Sequence, residues 1–270
     1  MELTNEQKRA LLAPVKCFLL DMDGTFYLGD RLLPGSVDFL DALHRTGRTA
    51  RFLTNNSSKS AKVYRDKLTR MNVPEEYRDV ITSGHAAAHY CLKAFPGKSA
   101  WVLGNDMLKE ELTTMGLRIS EDNPDYVLIA YDTTLDYAKM TKVCDLVRAG
   151  LPYIATHPDF NCPTETGFIP DCGSFCAAIS LSTGKQPKYL GKPFAETVEM
   201  VLDKTGFAAP EVAFVGDRLY TDVATGVKNG AVGLLVLTGE THLEDVPTSE
   251  VQPDAIFASL GEMGQQLCQL

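Results

Sequence analysis

Asp21 and Asp23 are separated by one residue in Asp21-Met22-Asp23-Gly24-Thr25, directly after the apolar run Val15–Leu20. Two carboxylates that close repel each other unless positive charge stands between them. Far along the chain, Gly216-Asp217-Arg218-Leu219-Tyr220-Thr221-Asp222 follows a second apolar run, Val212–Val215. A fold that joins these segments puts four carboxylates at one place. Such a cluster calls for a hard divalent cation, and an oxygen ligand set with few nitrogens or sulfurs suits Mg2+. Lys192, in Gly191-Lys192-Pro193, is the natural organic counter-charge. Any one of these aspartates taken alone reads equally well as a turn or helix-cap residue. Together with Lys192 they point to one site.

Short apolar, β-rich runs alternate with helical patterns along the whole chain, which predicts parallel βαβ units and an α/β fold. Strands are expected at Val15–Leu20, Thr49–Leu53, Trp101–Leu103, Tyr126–Ala130, Tyr153–Ala155, Val212–Val215 and Val232–Val236. Ser36 is placed to cap a helix carrying Val37, Leu40 and Leu43, with Gly47 beyond its end. Similar apolar stripes precede Gly116, Gly150 and Gly206 and read as core faces. Three of the strands run into polar residues: Asp21 and Asp23, then Thr54, Asn55 and Asn56, then Gly216 and Asp217. Ligands of open parallel sheets bind at the carboxyl ends of the strands, so these three ends define one candidate site.

The 270 residues carry 26 Lys and Arg against 35 Asp and Glu, a net charge of −9. An acidic chain without a basic stripe is a poor holder of a phosphate backbone, so no nucleic-acid partner is expected. No apolar stretch approaches the roughly 20 residues of a membrane span. Met1 to Lys8 is polar and of mixed charge, unlike a secretory signal. The 7 cysteines are scattered and odd in number, and the group Cys162, Cys172 and Cys176 near His157 lacks a zinc spacing. Free thiols, mostly buried, and a cytoplasmic location are the expectation. The histidines His44, His85, His89, His157 and His242 match no catalytic motif.

The ordered set of a DxDGT after the first strand, Thr54-Asn55-Asn56-Ser57 after the second, Gly191-Lys192-Pro193 and then GDxxxxD resembles the haloacid-dehalogenase superfamily of phosphatases. Leu33-Pro34-Gly35 and Asn161-Cys162-Pro163-Thr164-Glu165 make it most similar to the NagD-like, or para-nitrophenylphosphatase, branch. The resemblance spans nearly the whole chain. It implies a Rossmann-like, doubly wound parallel-sheet core with an inserted α/β cap domain, and a Mg2+-dependent phosphatase of a small phosphorylated metabolite. It further implies Asp21 as the nucleophile that forms an aspartyl-phosphate and Asp23 as the acid–base. Mg2+ would be held by Asp21, the Asp23 backbone carbonyl and Asp217, with Asp222 orienting Lys192 or a metal-bound water. Thr54 and Lys192 would hold the phosphoryl oxygens, with Asn55 at a helix start as an anion cradle. Homodimers formed through the cap are common in the branch, and a homodimer is expected here.

Thr54 and Lys192 belong to that one site yet stand 138 residues apart, far more than a βα unit requires. The expected layout is a discontinuous catalytic core, 1–83 and 187–270, interrupted by a cap at 84–186. Phe26 to Leu33 is long enough only for a hairpin flap turning at Gly29-Asp30. Residues that face the site from a cap choose substrate. The candidates are Pro163, Thr164, Glu165 and residues 171–174; Asp171 departs from the glycine-rich stretch usual in the branch, so it stands either as an altered contact to the leaving group or as a carboxylate facing solvent. The alternatives are a phosphotransferase or mutase sharing the intermediate, and a phosphoacceptor signalling domain. The second is disfavoured by Asp23 and by the length of the insertion. Sugar phosphates, nucleoside monophosphates, pyridoxal phosphate and phosphoglycolate all remain open as substrates.

Overall fold

The structure, a computed structural model, describes residues 3–164 and 166–270. It separates into two compact units, Met1–Thr54 with Lys62–Ile81 and Lys192–Leu270, and Asn55–Ala61 with Thr82–Gly191. Residues 55–61, 82–83 and 187–191 therefore group with the second unit rather than the first.

In the first unit, six strands lie in the order Ala255–Phe257, Val232–Val236, Val212–Gly216, Cys17–Leu20, Thr49–Thr54 and Val80–Thr82. The four pairings from the first of these through Thr49–Thr54 are parallel. Cys17–Leu20, Val212–Gly216 and Val232–Val236 are buried at every position. That is why they read as unbroken apolar runs: helices cover both faces of a parallel sheet. Phe18 meets Phe39 edge-on at 5.4 Å, seating helix Ser36–Arg45 through Phe39, Leu40 and Leu43. Each such side chain contributes about 1.5–3 kcal/mol by leaving water. Ser36 is not the cap expected of it. Gly35 takes that place, and Ser36 Oγ donates instead to the Phe26 carbonyl at 2.7 Å. Tyr27–Leu28 pairs antiparallel with Arg31–Leu32, forming the hairpin around Gly29 and Asp30.

The second unit is built on five strands in the order Lys188–Tyr189, Tyr153–Ala155, Tyr126–Ile129, Ser99–Leu103 and Arg118–Ile119, all paired in parallel. Alternate side chains serve opposite faces. Trp101, Leu103, Val127 and Ile129 pack with Val143, Val147, Cys176 and Ile179. Ala100, Val102 and Leu128 pack with Ala87, Cys91, Leu108 and Leu112. A separate two-stranded hairpin, Asn161–Thr164 with Gly167–Pro170, is largely exposed. All seven cysteines are unbridged thiols, with Cys162 half-buried, Cys268 exposed and the others buried.

Candidate active site

Cys17–Leu20 is the strand from which the sheet order runs both ways, toward Thr49–Thr54 on one side and Val212–Gly216 on the other. A crevice opens at the carboxyl end of such a strand. Leu20 is in register with Phe52 and with Val215, and Asp21 N donates to the Val215 carbonyl at 2.8 Å. The next residues out are therefore Asp21, flanked by Leu53–Thr54 and by Gly216–Asp217. Three separate apolar runs present their first polar residues side by side.

Lys192 Nζ donates to Asp21 Oδ1 at 2.5 Å, to Asp222 Oδ1 at 2.6 Å and to the Leu53 carbonyl at 3.2 Å. An ammonium has three protons, and each has an acceptor here. Burial works against its charge, but the Asp21 and Asp222 carboxylates outweigh that and hold Lys192 well above the usual lysine range. Asp21 is lifted to about 8 by burial first; Lys192 pulls it down, and the Asp222 and Asp217 carboxylates push it up. Asp217 is raised too, by burial and by Asp222, against the Glu240 N–H, Arg218 and Thr25. One ammonium does not neutralise three carboxylates.

Asp217 is fixed at both oxygens. Thr25 Oγ1 donates to Oδ1 at 3.1 Å, and Glu240 N donates to Oδ2 at 2.7 Å. Asp222 returns to the same edge through a single π turn, Leu219–Val223, and its Oδ2 accepts the Arg218 N–H at 3.2 Å. Turns of this kind are frequent at functional sites. Two glycines permit the approach. A Cβ on Gly216 would lie 2.2 Å from Asp222 Cγ, and one on Gly24, at φ +86°, would lie 2.6 Å from Asp217 Oδ2. Carboxylate oxygens of Asp21, Asp217 and Asp222 lie within 4.8 Å of one another. This all-oxygen, under-neutralised set fits a hard divalent cation. The Asp23 side chain is exposed and stands outside that group.

The first unit thus brings together Asp21, Lys192, Asp217 and Asp222, with half-buried Thr54 closing the neighbouring strand and Asp23 in the turn after Asp21. Asn55, Thr164 and Asp171 belong to the second unit. Asn55 is not at a helix start, because the next helix begins at Ala61. Its Nδ2 donates to Asp159 Oδ2 at 3.0 Å. Thr164 is exposed in the hairpin, where its hydroxyl donates to the Gly167 carbonyl at 3.1 Å. Glu165 lies outside the described residues. Asp171, expected as a substrate contact, is 4% exposed and already committed. It caps helix Cys172–Thr183 through the Cys172 N–H at 2.6 Å and pairs with His157 Nε2 at 2.8 Å.

His157 is itself fully buried, with Nδ1 2.9 Å from Thr156 Oγ1 and 3.2 Å from Ser83 Oγ. Burial opposes its charge, but the Cys172 sulfur, the Asp171 carboxylate and Asp159 together raise it to about 9. His157, Asp159 and Asp171 are close enough to surround an ion. Both ring nitrogens are already engaged, so the trio is an internal polar network rather than a metal centre. No motif announces it, since Ser83 is 74 residues away in sequence.

Residues 18–118 match the family described as haloacid dehalogenase-like hydrolase, and residues 189–263 match the one described as HAD-hydrolase-like. An acid sugar phosphatase of Staphylococcus aureus is 37% identical over 248 residues, covering 92% of this chain and 96% of that protein. The structure of a 4-nitrophenylphosphatase from Thermotoga maritima superposes with a TM-score of 0.90 at 46% identity, covering 94% of this chain and 98% of that one. That of a glycerol phosphate phosphatase from Mycobacterium tuberculosis, in complex with calcium, does so with a TM-score of 0.86 at 30% identity, covering 94% and 76%. Motif order, sheet topology, the lysine–carboxylate cluster and these likenesses agree, and the chain belongs to the haloacid dehalogenase-like hydrolases, among the phosphatases of that superfamily.

Proposed function

We propose that the chain is a Mg2+-dependent phosphatase of a small phosphorylated metabolite, acting through an aspartyl-phosphate on Asp21. The observation that carries this reading is Lys192 held between Asp21 and Asp222, with Asp217 beside them. Phosphoryl transfer needs positioning and charge neutralisation more than covalent chemistry. Asp21 attacks phosphorus, and the bond to the leaving oxygen breaks as Asp23 gives that oxygen its proton. Asp23, now a carboxylate, takes a proton from water as the water attacks phosphorus, which frees phosphate and returns Asp21. Lys192 Nζ and the Thr54 hydroxyl hold the phosphoryl oxygens, and Asp222 keeps the ammonium aimed. Asp21, Asp217 and the Asp23 carbonyl would hold Mg2+, with Asp222 nearby, and the ion would supply charge neutralisation. The second unit serves as the cap, with Thr164 and Glu165 as its candidate substrate contacts.

The relatives' names, acid sugar phosphatase and glycerol phosphate phosphatase, favour sugar and polyol phosphates as the substrate class. We place the enzyme in the cytoplasm as a homodimer. A screen of phosphorylated metabolites with Mg2+ tests the reading. Inorganic phosphate should appear with the wild type and fail to appear with Asp21→Asn. In 18O-labelled water, each phosphate should carry one labelled oxygen. Phosphate found instead on an added alcohol, without label, favours the phosphotransferase.

A further inference from the structure

The second unit takes up the chain at Asn55 and at Thr82, and gives it back after Ala61 and after Gly191. Three of these places are gathered inside that unit around the fully buried His157 ring. Ser83, directly after Thr82, donates its hydroxyl proton to the Asn55 carbonyl, and its oxygen lies 3.2 Å from His157 Nδ1. Thr156 Oγ1, 2.9 Å from the same nitrogen, is also 3.1 Å from Ser57 Oγ in the segment Asn55–Ala61. Gly191, at φ +72°, leaves no room for a side chain. A Cβ there would lie 2.6 Å from the Thr156 carbonyl oxygen, 2.8 Å from Asn55 Oδ1 and 3.0 Å from His157 Cβ.

Counting protons gives the ring its form. The Asp171 carboxylate only accepts, so Nε2, 2.8 Å away, carries a hydrogen. The one Ser83 proton goes to Asn55, so Nδ1 donates to Ser83 Oγ as well. An imidazolium meets both demands, with Asp171 as its counter-charge and the Cys172 N–H holding Asp171 Oδ1 at 2.6 Å. The residues gathered here adjoin the proposed phosphoryl-holding groups: Asn55 is bonded to Thr54, and Gly191 to Lys192. In the first unit the same two stretches meet again, where Lys192 Nζ donates at 3.2 Å to the carbonyl of Leu53, the residue before Thr54.

Resting on the phosphoryl-holding roles proposed for Thr54 and Lys192, we infer that His157 is the residue that positions both. It fixes Asn55 through Ser83 and seats Gly191 against itself and Thr156. It thereby sets the backbone from which the Thr54 hydroxyl and the Lys192 ammonium extend. His157 is a positioning residue: it acts on the phosphoryl group only through those two.

Ser83→Ala cuts the tie to Asn55 and leaves the His157–Asp171 pair in place. With Mg2+ and 4-nitrophenyl phosphate, KM and the inhibition constant of inorganic phosphate should each rise about tenfold, because small displacements of holding groups are felt strongly. A smaller folded fraction alone would lower kcat and move neither constant. His157→Gln should raise both constants to a similar extent, and the double variant no further, since the two substitutions cut one tie. Ile179→Ala, in the buried core of the same unit, should lower the unfolding midpoint with both constants unchanged. A rise in Ile179→Ala equal to that in Ser83→Ala would show general loosening and overturn the inference. A rise confined to Ser83→Ala, or rises that multiply in the double variant, would overturn it as well. Lys192→Ala separates the two levels. If it weakens phosphate inhibition while Ser83→Ala and His157→Gln do not, only the role of His157 falls; if it leaves inhibition unchanged, the holding roles fall and that of His157 with them.

Discussion

Lys192 Nζ and Asp222 Oδ1 lie 2.6 Å apart, in side chains only 5% and 3% exposed. Two charges taken that far out of water hold each other in place, and removing the lysine leaves its carboxylate partners uncompensated, at about 3–5 kcal/mol. The same ammonium reaches Asp21 Oδ1 at 2.5 Å, so one lysine links the proposed nucleophile to its own anchor.

Lys192→Ala should weaken phosphate binding and turnover together, by about 10²-fold or more, and lower the unfolding midpoint. Activity near wild type would show that Lys192 takes no part in the chemistry. Asp222→Ala should cost less turnover than Asp217→Ala, because Asp222 orients the lysine. A larger loss at Asp222 would reverse that order.

Chelation should abolish phosphate release, and millimolar Mg2+ should restore it. Ca2+ should support it poorly, since its larger and looser coordination displaces the carboxylates from an attacking geometry. Phosphate release at full rate by a verified metal-free preparation would contradict the cation's role.

Gly216→Ala should depress turnover strongly while the fold persists. The added Cβ falls where the Asp222 carboxyl now lies, and Asp222 must swing away from Lys192. Kinetics together with circular dichroism would check this. Unaltered kinetics would mean that Asp222 can reach Lys192 by another path.

The first-unit site was legible in the sequence because its parts lie at strand ends. Asp21, Thr54 and Asp217 each follow an apolar run, and a parallel sheet aligns such ends without further information. Asp222 was legible through its spacing from Asp217. What stayed hidden depends on side-chain partners far apart in the chain. Thr25 Oγ1 and the Glu240 N–H hold the two oxygens of Asp217, and although Thr25 stands in the first motif, nothing in the sequence pairs it or residue 240 with Asp217. Asp171 looked like an exposed loop carboxylate, but a helix begins directly after it and His157 packs against it. Ser36 looked like a helix cap because serine favours that position, whereas the Phe26 carbonyl offered its hydroxyl a buried partner. The short strands Lys188–Tyr189 and Arg118–Ile119 are too brief to show a period.

The His157–Asp171 pair gives a pH dependence with a definite sign. In the folded chain His157 titrates at about 9, above its ordinary 6.5. Its contribution to stability is therefore complete below about pH 6.5 and is lost as pH rises through about 9. The difference in unfolding midpoint between wild type and His157→Gln should be largest at about pH 6 and should shrink by about pH 10. A difference constant across that range would contradict a charged pair.

Asp21 and Asp23 divide the two halves of the proposed reaction between them. Rapid-quench kinetics with intact-mass measurement of Asp23→Asn on 4-nitrophenyl phosphate tests this division in one experiment. The nitrophenolate leaves with little help, whereas hydrolysis of the phosphorylated enzyme lacks its base, a loss of about 10²–10⁴ in rate. The predicted result is a burst of nitrophenol of up to one per active site, followed by a stall with phosphate on Asp21. Asp21→Asn should give neither burst nor adduct. A burst in both variants, or an adduct mapped to any residue other than Asp21, would contradict it.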